Sequence, residues 1–332
     1  MIRPLYFAAL ILGTLLFSGC STKEYYEPES VKGDWPNSGD LDEPIIDMTS
    51  DGAVLEDGQV VTGKGILDRN LPEGYRFIGQ SGGWIIAGKI DGEILLASNE
   101  AGRDDILFTL KKTVAAASVQ GDTLAVLFAN NDMALYALST QQPILKEQGN
   151  PPVAVDSRIV NPFFLNDLVL FLTLDGKIVI INVANKQKLR TMIVSTKDHF
   201  NNVIYFDVVG NTMVAATSYR ILSMADKERR ESYELRDIVF NSEGIWISTK
   251  QGEVVAMTPS LELKAKQKFA FAHFLGMVVT DDKVYLLEKE GYLIVLDKDL
   301  ADYEVYEADF DEGYVYVGDK TFYFDDEYIT VE

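Results

Sequence analysis

Thr123-Leu-Ala-Val-Leu-Phe128 and Met133-Ala-Leu-Tyr-Ala-Leu138 are two short apolar runs, and the turn residues Asn130-Asn131-Asp132 separate them. Both runs are too short for a typical helix and contain residues with high β-propensity. Asn, Asp and Gly between two such runs supply the positive φ that tight hairpins require. This unit therefore predicts a β-hairpin.

The hairpin unit recurs along the chain at intervals of 33 to 45 residues. The second turn residue of each copy is Gly92, Asn131, Gly176, Tyr219, Gly252, Gly291 or Asp326. Most hairpins follow another turn and precede a weaker strand, such as residues 188–194. Four strands in about 40 residues are typical of a propeller blade. The sequence therefore predicts an all-β fold, a β-propeller of about seven four-stranded blades, with six to eight possible.

The propeller domain is predicted to span residues 59–332. Its last copy, from Tyr314 to Val331, ends before a fourth strand. Propellers commonly complete such a blade with a strand from the other end of the domain, which removes an exposed edge. Gln59-Val-Val-Thr62 is the candidate closing strand.

Residues 20–58 are predicted to be a disordered, acidic tether. The segment contains Pro28, Pro36 and Pro44, many carboxylates and little apolar periodicity. Such a composition buries too little apolar surface to offset the loss of chain entropy on folding. Its aromatic residues Tyr25-Tyr26 and Trp35 have two interpretations: a docking motif for a partner, or contacts with the domain surface.

Residues 1–19 are predicted to be a signal peptide. Arg3 is followed by an apolar run from Leu5 to Phe17, which is too short to span a bilayer as a helix. The small residues Ser18-Gly19 then precede Cys20, the single cysteine of the chain. One cysteine excludes an internal disulfide framework and a cysteine-based metal cluster.

Phe17-Ser18-Gly19-Cys20 resembles the lipobox of bacterial lipoproteins. The resemblance implies cleavage before Cys20 and lipidation of Cys20 with three acyl chains, more than the two that give stable anchoring. In the sorting rule of enteric lipoproteins, Ser21 after the cysteine favours the outer membrane. The expected location is thus the cell envelope, on the periplasmic side of the outer membrane. The alternative for Cys20 is a buried free thiol.

The third strands of the repeats, such as Ile180-Ile181-Asn182 and Val295-Leu296-Asp297, resemble those of quinoprotein-like propellers. Together with the lipobox, the chain is similar to outer-membrane assembly lipoproteins of the BamB kind. That family has eight blades and no catalytic site. The resemblance implies a non-catalytic scaffold with envelope proteins as partners.

The chain has 30 Lys and Arg against 51 Asp and Glu, a formal net charge of −21. A polyanion of this size is repelled by nucleic acid, so no nucleic-acid partner is expected.

Residues that carry chemistry are sparse in this sequence. Gly79-Gln-Ser81-Gly-Gly83 satisfies a hydrolase pattern, but a strand follows it where a helix is required. His199 and His273 lie in different repeats. No phosphate or dinucleotide motif occurs, so no cofactor is expected. The acidic stretches 309–312 and 325–327 lack the spacing of a calcium loop, and solvated loop acids are their simpler interpretation.

Tyrosines and acids are mixed near the C-terminus, at Tyr303, Tyr306, Tyr314, Tyr316, Tyr323 and Tyr328. They suit a protein-binding face or packing between blades. The sequence as a whole predicts a lipid-anchored scaffold that binds proteins, with a role in outer-membrane assembly as the most specific version. A sugar- or peptide-binding propeller that uses its central funnel, and a quinone-dependent or hydrolytic enzyme, remain open.

Overall fold

A computed structural model describes residues 24–100, 102–310 and 313–332. Within these ranges the regular secondary structure consists of 32 β-strands, arranged in eight antiparallel sheets of four strands. Each sheet is one blade of an eight-bladed β-propeller. The predicted all-β propeller is confirmed, and eight lies within the expected range of six to eight blades.

Seven blades follow the order of the chain, with four consecutive strands each. The strands of blades 1 to 3 are β2 Ile45–Met48, β3 Gly52–Leu55, β4 Val60–Thr62 and β5 Gly65–Ile66; β6 Arg76–Ser81, β7 Trp84–Gly88, β8 Glu93–Ser98 and β9 Ile106–Thr109; and β10 Val114–Gln120, β11 Thr123–Phe128, β12 Met133–Ala137 and β13 Pro143–Glu147. Those of blades 4 and 5 are β14 Phe163–Leu165, β15 Leu168–Leu172, β16 Lys177–Asn182 and β17 Gln187–Ile193; and β18 Val203–Val209, β19 Thr212–Thr217, β20 Arg220–Met224 and β21 Glu228–Ser232. Those of blades 6 and 7 are β22 Leu235–Asn241, β23 Gly244–Thr249, β24 Glu253–Met257 and β25 Leu263–Lys268; and β26 Phe274–Val279, β27 Lys283–Glu288, β28 Tyr292–Asp297 and β29 Tyr303–Glu307.

Blade 8 combines both ends of the described chain. Its strands are β30 Val315–Val317, β31 Thr321–Phe324, β32 Glu327–Thr330 and, at the outer edge, β1 Ser38–Asp40. In the pairing of β1 with β32, Ser38 lies opposite Ile329 and Asp40 opposite Glu327. The expectation that the N-terminal part closes the ring is correct, but the assignment of Gln59–Thr62 to this role is wrong, because Val60–Thr62 is the third strand of blade 1.

Blade 1 is the blade that the sequence repeat missed. Its strands are only two to four residues long, and its hairpin at Asp57-Gly58 lies inside the segment that was predicted as a tether. Gly58 has a φ of +85°, which matches the hairpin glycines of the other blades. Because such short strands bury few apolar residues each, their alternation of apolar and polar residues is too weak to identify from the sequence.

The prediction of a disordered tether is also wrong for the part of it that the structure describes. Residues 26–41, here called the N-terminal clasp, run along the outer edges of blades 7 and 8. The amides of Lys32 and Trp35 donate to the carbonyls of Val305 and Glu307, each at 2.9 Å. Because backbone hydrogen bonds need no apolar sequence, composition alone could not reveal this edge pairing.

Two aromatic side chains fasten the clasp. Tyr26 is buried and packs edge-on against Phe269 and Tyr292, with ring centroids 6.0 and 5.9 Å away. Trp35 packs against Tyr306 and donates from Nε1 to the carbonyl of Thr330 at 2.9 Å. Of the two interpretations of these aromatics, contact with the domain surface is the one observed.

The hydrophobic core is divided among the eight blade interfaces, with one cluster of buried side chains between each pair of neighbours. First strands of successive blades lie side by side, as β22 and β26 do, so they surround the central axis. Fourth strands form the outer edge, and every residue of β21 is exposed. Among the described residues, no helix is long and apolar enough to cross a membrane.

Candidate interaction site

The two faces of the propeller differ in the connections that they carry. Because strands alternate in direction within a blade, the links between blades and the hairpins between second and third strands lie on one face. We call this the crossover face. The turns between first and second strands and between third and fourth strands lie on the opposite side, here called the turn face.

Connections of the crossover face carry four large apolar side chains that are well exposed. Ile90 is 85% exposed, Val153 74%, Phe271 58% and Phe200 48%. At the turn face, Leu165 at the end of β14 is 37% exposed and Leu263 at the start of β25 is 62% exposed. An exposed apolar group on a connecting loop is a common feature of binding surfaces.

Two of these side chains, Val153 and Phe200, lie near each other and near Val155, which is 37% exposed. The link from blade 3 to blade 4, residues 148–162, lies against the link from blade 4 to blade 5, residues 194–202. The amide of Phe200 donates to the carbonyl of Ala154 at 3.0 Å, which brings Phe200 beside Val153 and Val155. We call Val153, Val155 and Phe200 the crossover patch.

Phe200 has a φ of +51°, in the left-handed region. A bulky residue in this region is strained by roughly 1 kcal/mol or more. The surrounding loops therefore stabilise a conformation that holds an aromatic ring at the surface.

The link of residues 148–162, here called the plug loop, also crosses the central axis. Arg158 donates to both carboxylate oxygens of Asp156, at 2.9 and 2.6 Å, and to the hydroxyl of Ser218 in blade 5. It also contacts the carbonyl of Arg236 at the start of β22 in blade 6. Burial alone raises the pKa of Asp156, but the hydrogen bonds and charge of Arg158 outweigh burial and lower this pKa to about 2. The pair is thus ionised across the physiological pH range.

The end of the plug loop is held by the blades on the other side of the axis. The side chain of Asn161 donates to the carbonyl of Ile78 at 2.9 Å and to Asp51 at 3.0 Å, and it accepts from the amide of Ala117 at 2.9 Å. Gly79 leaves room for this amide, because a Cβ there would lie 2.5 Å from the Asn161 nitrogen. One loop therefore connects blades 1, 2, 3, 5 and 6 and obstructs the axis.

A groove lies next to the plug loop on blade 3. Its volume is about 400 Å³, and its walls include Lys112, Phe128, Tyr136, Lys146 and Gln148, the first residue of the plug loop. Lys112 pairs with Asp132 at 2.7 Å at the rim. Aromatic walls with charges of both signs at the rim suit a protein side chain or a short peptide.

The structure does not assemble the hydrolase pattern into a catalytic group. Ser81 ends β6, a tight turn at Gly82-Gly83 leads directly into β7, and the Ser81 hydroxyl accepts from the amide of Val119 at 2.7 Å. This turn is on the turn face, whereas His199 and His273 lie in two different links of the crossover face. The helix and the histidine that a nucleophile elbow requires are therefore missing around Ser81.

The other candidate residues are distributed as follows. Cys20 and the signal peptide lie outside the described residues, as do Asp311 and Glu312. Among residues 24–100, 102–310 and 313–332, no group of three His, Cys, Asp or Glu side chains is placed to hold a metal ion. Tyr316 and Tyr323 pack in the cluster between blades 8 and 1, while Tyr303 and Tyr314 are exposed. Of the two interpretations of the C-terminal tyrosines, packing between blades thus applies to Tyr316 and Tyr323.

Sequence reasoning missed the plug loop and the crossover patch. One signal was available: the link has 15 residues, whereas the other links between blades have two to nine. Long connections inside compact domains are commonly functional. The contacts of Arg158 and Asn161 across the axis, by contrast, have no local signature.

The fold and this site define an eight-bladed propeller with a closed axis and an apolar patch on its crossover face. No protein-family model matches the chain. The plasminogen-binding protein PgbB from two strains of Helicobacter pylori is 27% identical over 349 aligned positions, which cover 91% of this chain. The chain spans 64% of the length of these curated relatives.

Solved structures confirm the resemblance in fold. BamB from Moraxella catarrhalis superposes with a TM-score of 0.67 at 15% identity, covering 89% of this chain and 98% of that one. The C-terminal WD40 domain of Sif2 gives a TM-score of 0.62 at 12% identity, with 92% and 100% covered. At these identities the similarity concerns the fold alone.

Proposed function

We propose that this protein is a lipid-anchored propeller of the bacterial cell envelope that binds other proteins through the crossover patch. The observation that carries the proposal is the patch itself, in which two loops hold Val153, Val155 and Phe200 at the surface. The leader and Cys20 support the anchor, and the proposed location is the periplasmic side of the outer membrane.

The contacts of the plug loop favour a preformed binding surface. Hydrogen bonds on both sides of Val153 and Val155 fix the loop, through Asn131 to the carbonyl of Asn150 at 2.8 Å and through Asn202 to the carbonyl of Asp156 at 3.2 Å. A surface that is already ordered loses little conformational entropy when a partner binds. The patch is thus suited to specific recognition.

The geometry argues against ligand binding in the central funnel and against hydrolysis at Ser81. A sugar or peptide in the central funnel would have to displace Arg158 and Asn161 from their hydrogen bonds across the axis. A hydrolase would need an elbow and a base beside Ser81. Protein binding requires neither change, so it is the function that the geometry supports best.

The comparisons support a protein partner without identifying it. The name of the H. pylori relatives describes plasminogen binding, and we propose plasminogen as one protein to test as a ligand of this chain. The more specific proposal, a partner in the assembly of outer-membrane proteins, comes from the resemblance to BamB-like lipoproteins. Its support is the shared propeller fold and the lipobox.

A pair of surface variants tests the patch. Val153→Ser combined with Phe200→Ser should reduce recovery of envelope proteins at least tenfold in a pull-down from gently solubilised membranes, because the variant removes most of the exposed apolar area of the patch. Leu165→Ser on the turn face is the matched control and should retain recovery. Equal recovery by both variants, with unchanged melting temperatures, would refute the proposed binding surface. Immobilised plasminogen is tested with the same variants.

The anchor is tested separately. Cys20→Ala should abolish incorporation of radiolabelled palmitate and move the protein from the membrane to the soluble fraction. Palmitate incorporation that persists in this variant would contradict lipidation of Cys20.

A further inference from the structure

The N-terminal clasp determines where a lipid anchor would leave the propeller. The clasp fixes the chain from Tyr26 onward, and the ring of Tyr26 lies between blades 6 and 7 against Phe269 and Tyr292. Cys20 precedes Tyr26 by six residues in the sequence. Six residues span about 20 Å when fully extended. An acyl chain on Cys20 therefore starts within about 20 Å of the boundary between blades 6 and 7.

The surface at this boundary has the composition of a membrane interface. Tyr25 is 49% exposed beside the buried Tyr26, and Phe271 is 58% exposed in the link between the two blades. Phe271 has a φ of +63°, so its ring, like that of Phe200, is presented in a strained conformation. Lys268 is exposed immediately before this link. Aromatic rings and lysine side chains favour the boundary between lipid head groups and hydrocarbon. We call Tyr25, Lys268 and Phe271 the junction surface.

We propose that the junction surface rests on the phospholipid bilayer, so that the propeller stands on the edge formed by blades 6 and 7. This inference rests on the proposed lipidation of Cys20 and adds an orientation to it. In a ring of eight, blades 2 and 3 lie opposite blades 6 and 7, so the groove on blade 3 points away from the membrane. The crossover patch, on blades 3 to 5, stays accessible to a protein partner.

Electrostatic attraction is not the basis of this contact. Glu24 and Glu27 are exposed next to the junction surface, and the chain has a net charge of −21. The acyl chains and the aromatic rings supply the contact instead. The orientation should therefore form on zwitterionic phosphatidylcholine vesicles without anionic lipid.

The test uses the full-length lipidated protein on phosphatidylcholine vesicles that contain brominated lipid. A fluorophore is attached to a new thiol in either of two exposed positions, Ala270→Cys at the junction or Ala184→Cys on the turn face of blade 4. Quenching should be at least twofold stronger at position 270 than at position 184. Equal quenching, or stronger quenching at 184, overturns the orientation.

A second variant tests the short connection. Insertion of 20 Gly and Ser residues between Thr22 and Lys23 keeps the lipidation sequence but lengthens the connection between Cys20 and the clasp. The quenching at position 270 should then fall to the level of position 184, and undiminished quenching contradicts the role of the clasp. Quenching is measured only on protein that floats with vesicles. Absence of flotation refutes the anchor itself, a result distinct from a wrong orientation.

Discussion

Asp237 shows how burial near the centre of the propeller changes the pKa of a carboxyl group. It lies on β22, the first strand of blade 6, and its carboxylate accepts from the amides of Ile238 and Met277, both at 2.8 Å. Burial raises the pKa of Asp237 to about 6, and the hydrogen bonds and the charge of Arg158 only partly oppose burial. The bond to Met277 joins blade 6 to blade 7, so this carboxylate is part of a blade interface.

Substitution of Asp237 should change the pH dependence of stability. The pKa is higher in the folded state than the unfolded value of about 3.9, so the native state binds the proton more tightly. The protonated carboxyl group of Asp237 therefore stabilises the folded state below pH 4, and this stabilisation is lost as the pH rises through 6. Asp237→Asn should therefore be less destabilising at pH 7 than at pH 4, by about 1–2 kcal/mol, since one pKa unit corresponds to about 1.4 kcal/mol. Urea unfolding at both pH values measures this, and parallel pH profiles of the variant and wild type would count against it.

Residues with distinctive chemistry could be found from the sequence, whereas Arg158 and Asn161 could not. Cys20 stands out because it follows an apolar leader, and its lipidation stays a prediction. Arg158 and Asn161 have ordinary sequence neighbours, and their importance comes from blades 1, 2, 5 and 6, which are distant in the chain. Hydrogen bonds across an axis leave no local pattern.

The clasp is the element that differs most from its predicted state. It adds β1 to blade 8 and continues along blade 7, where Lys32 also pairs with Glu304 at 3.2 Å. Each of these contacts covers an outer edge that would otherwise be open. Closure by a strand from the other terminus stabilises the ring because it joins the first and last blades.

Substitution of the Trp35 side chain tests how much the clasp contributes to the free energy of unfolding. Trp35→Ala should lower the free energy of unfolding by about 2–3 kcal/mol, because it removes the contacts with Tyr285 and Tyr306 and the hydrogen bond to Thr330. Val31→Ala, at a clasp residue that is 37% exposed, is the control and should change stability by less than about 0.5 kcal/mol. Chemical denaturation decides between these values. Equal effects of the two substitutions would show that the clasp contributes no specific packing.

The hairpins are the elements that sequence predicts best. Gly252 and Gly291 have positive φ, and their carbonyls accept from the amides of Phe269 and Ala308, which follow the fourth strands. Blades 6 and 7 thus use this turn both for the hairpin and for attachment of the outer strand. Such a local requirement recurs in the sequence because it recurs in several blades.

Charge is distributed unevenly over the whole molecule. Residues 269–332, which form blades 7 and 8 with the closing strand, contain 17 carboxylates and four lysines. The pKa of Glu327 is raised, first by burial and then by the charges of Asp326 and Asp40. Like charges therefore repel each other where the ring closes.

Salt should stabilise the folded protein. Raising NaCl from 20 to 300 mM shortens the screening length from about 20 Å to about 6 Å and should increase the free energy of unfolding by about 1 kcal/mol. Asp325→Asn combined with Asp326→Asn should reduce this salt dependence, since the variant removes two of the carboxylates at the closing blade. Thermal melts at both salt concentrations give the comparison, and a decrease of stability with salt would contradict it.

The sequence by itself determined the class of fold, the four-stranded repeat and the candidate lipidation site, because hairpin glycines, apolar alternation and a leader are local patterns. Tertiary structure alone decided the eighth blade, the clasp and the plug loop. Their short strands and polar loops obtain order from hydrogen bonds and packing with distant residues. The crossover patch belongs to this second group, because Val153 and Phe200 become neighbours only when blades 3, 4 and 5 are in place.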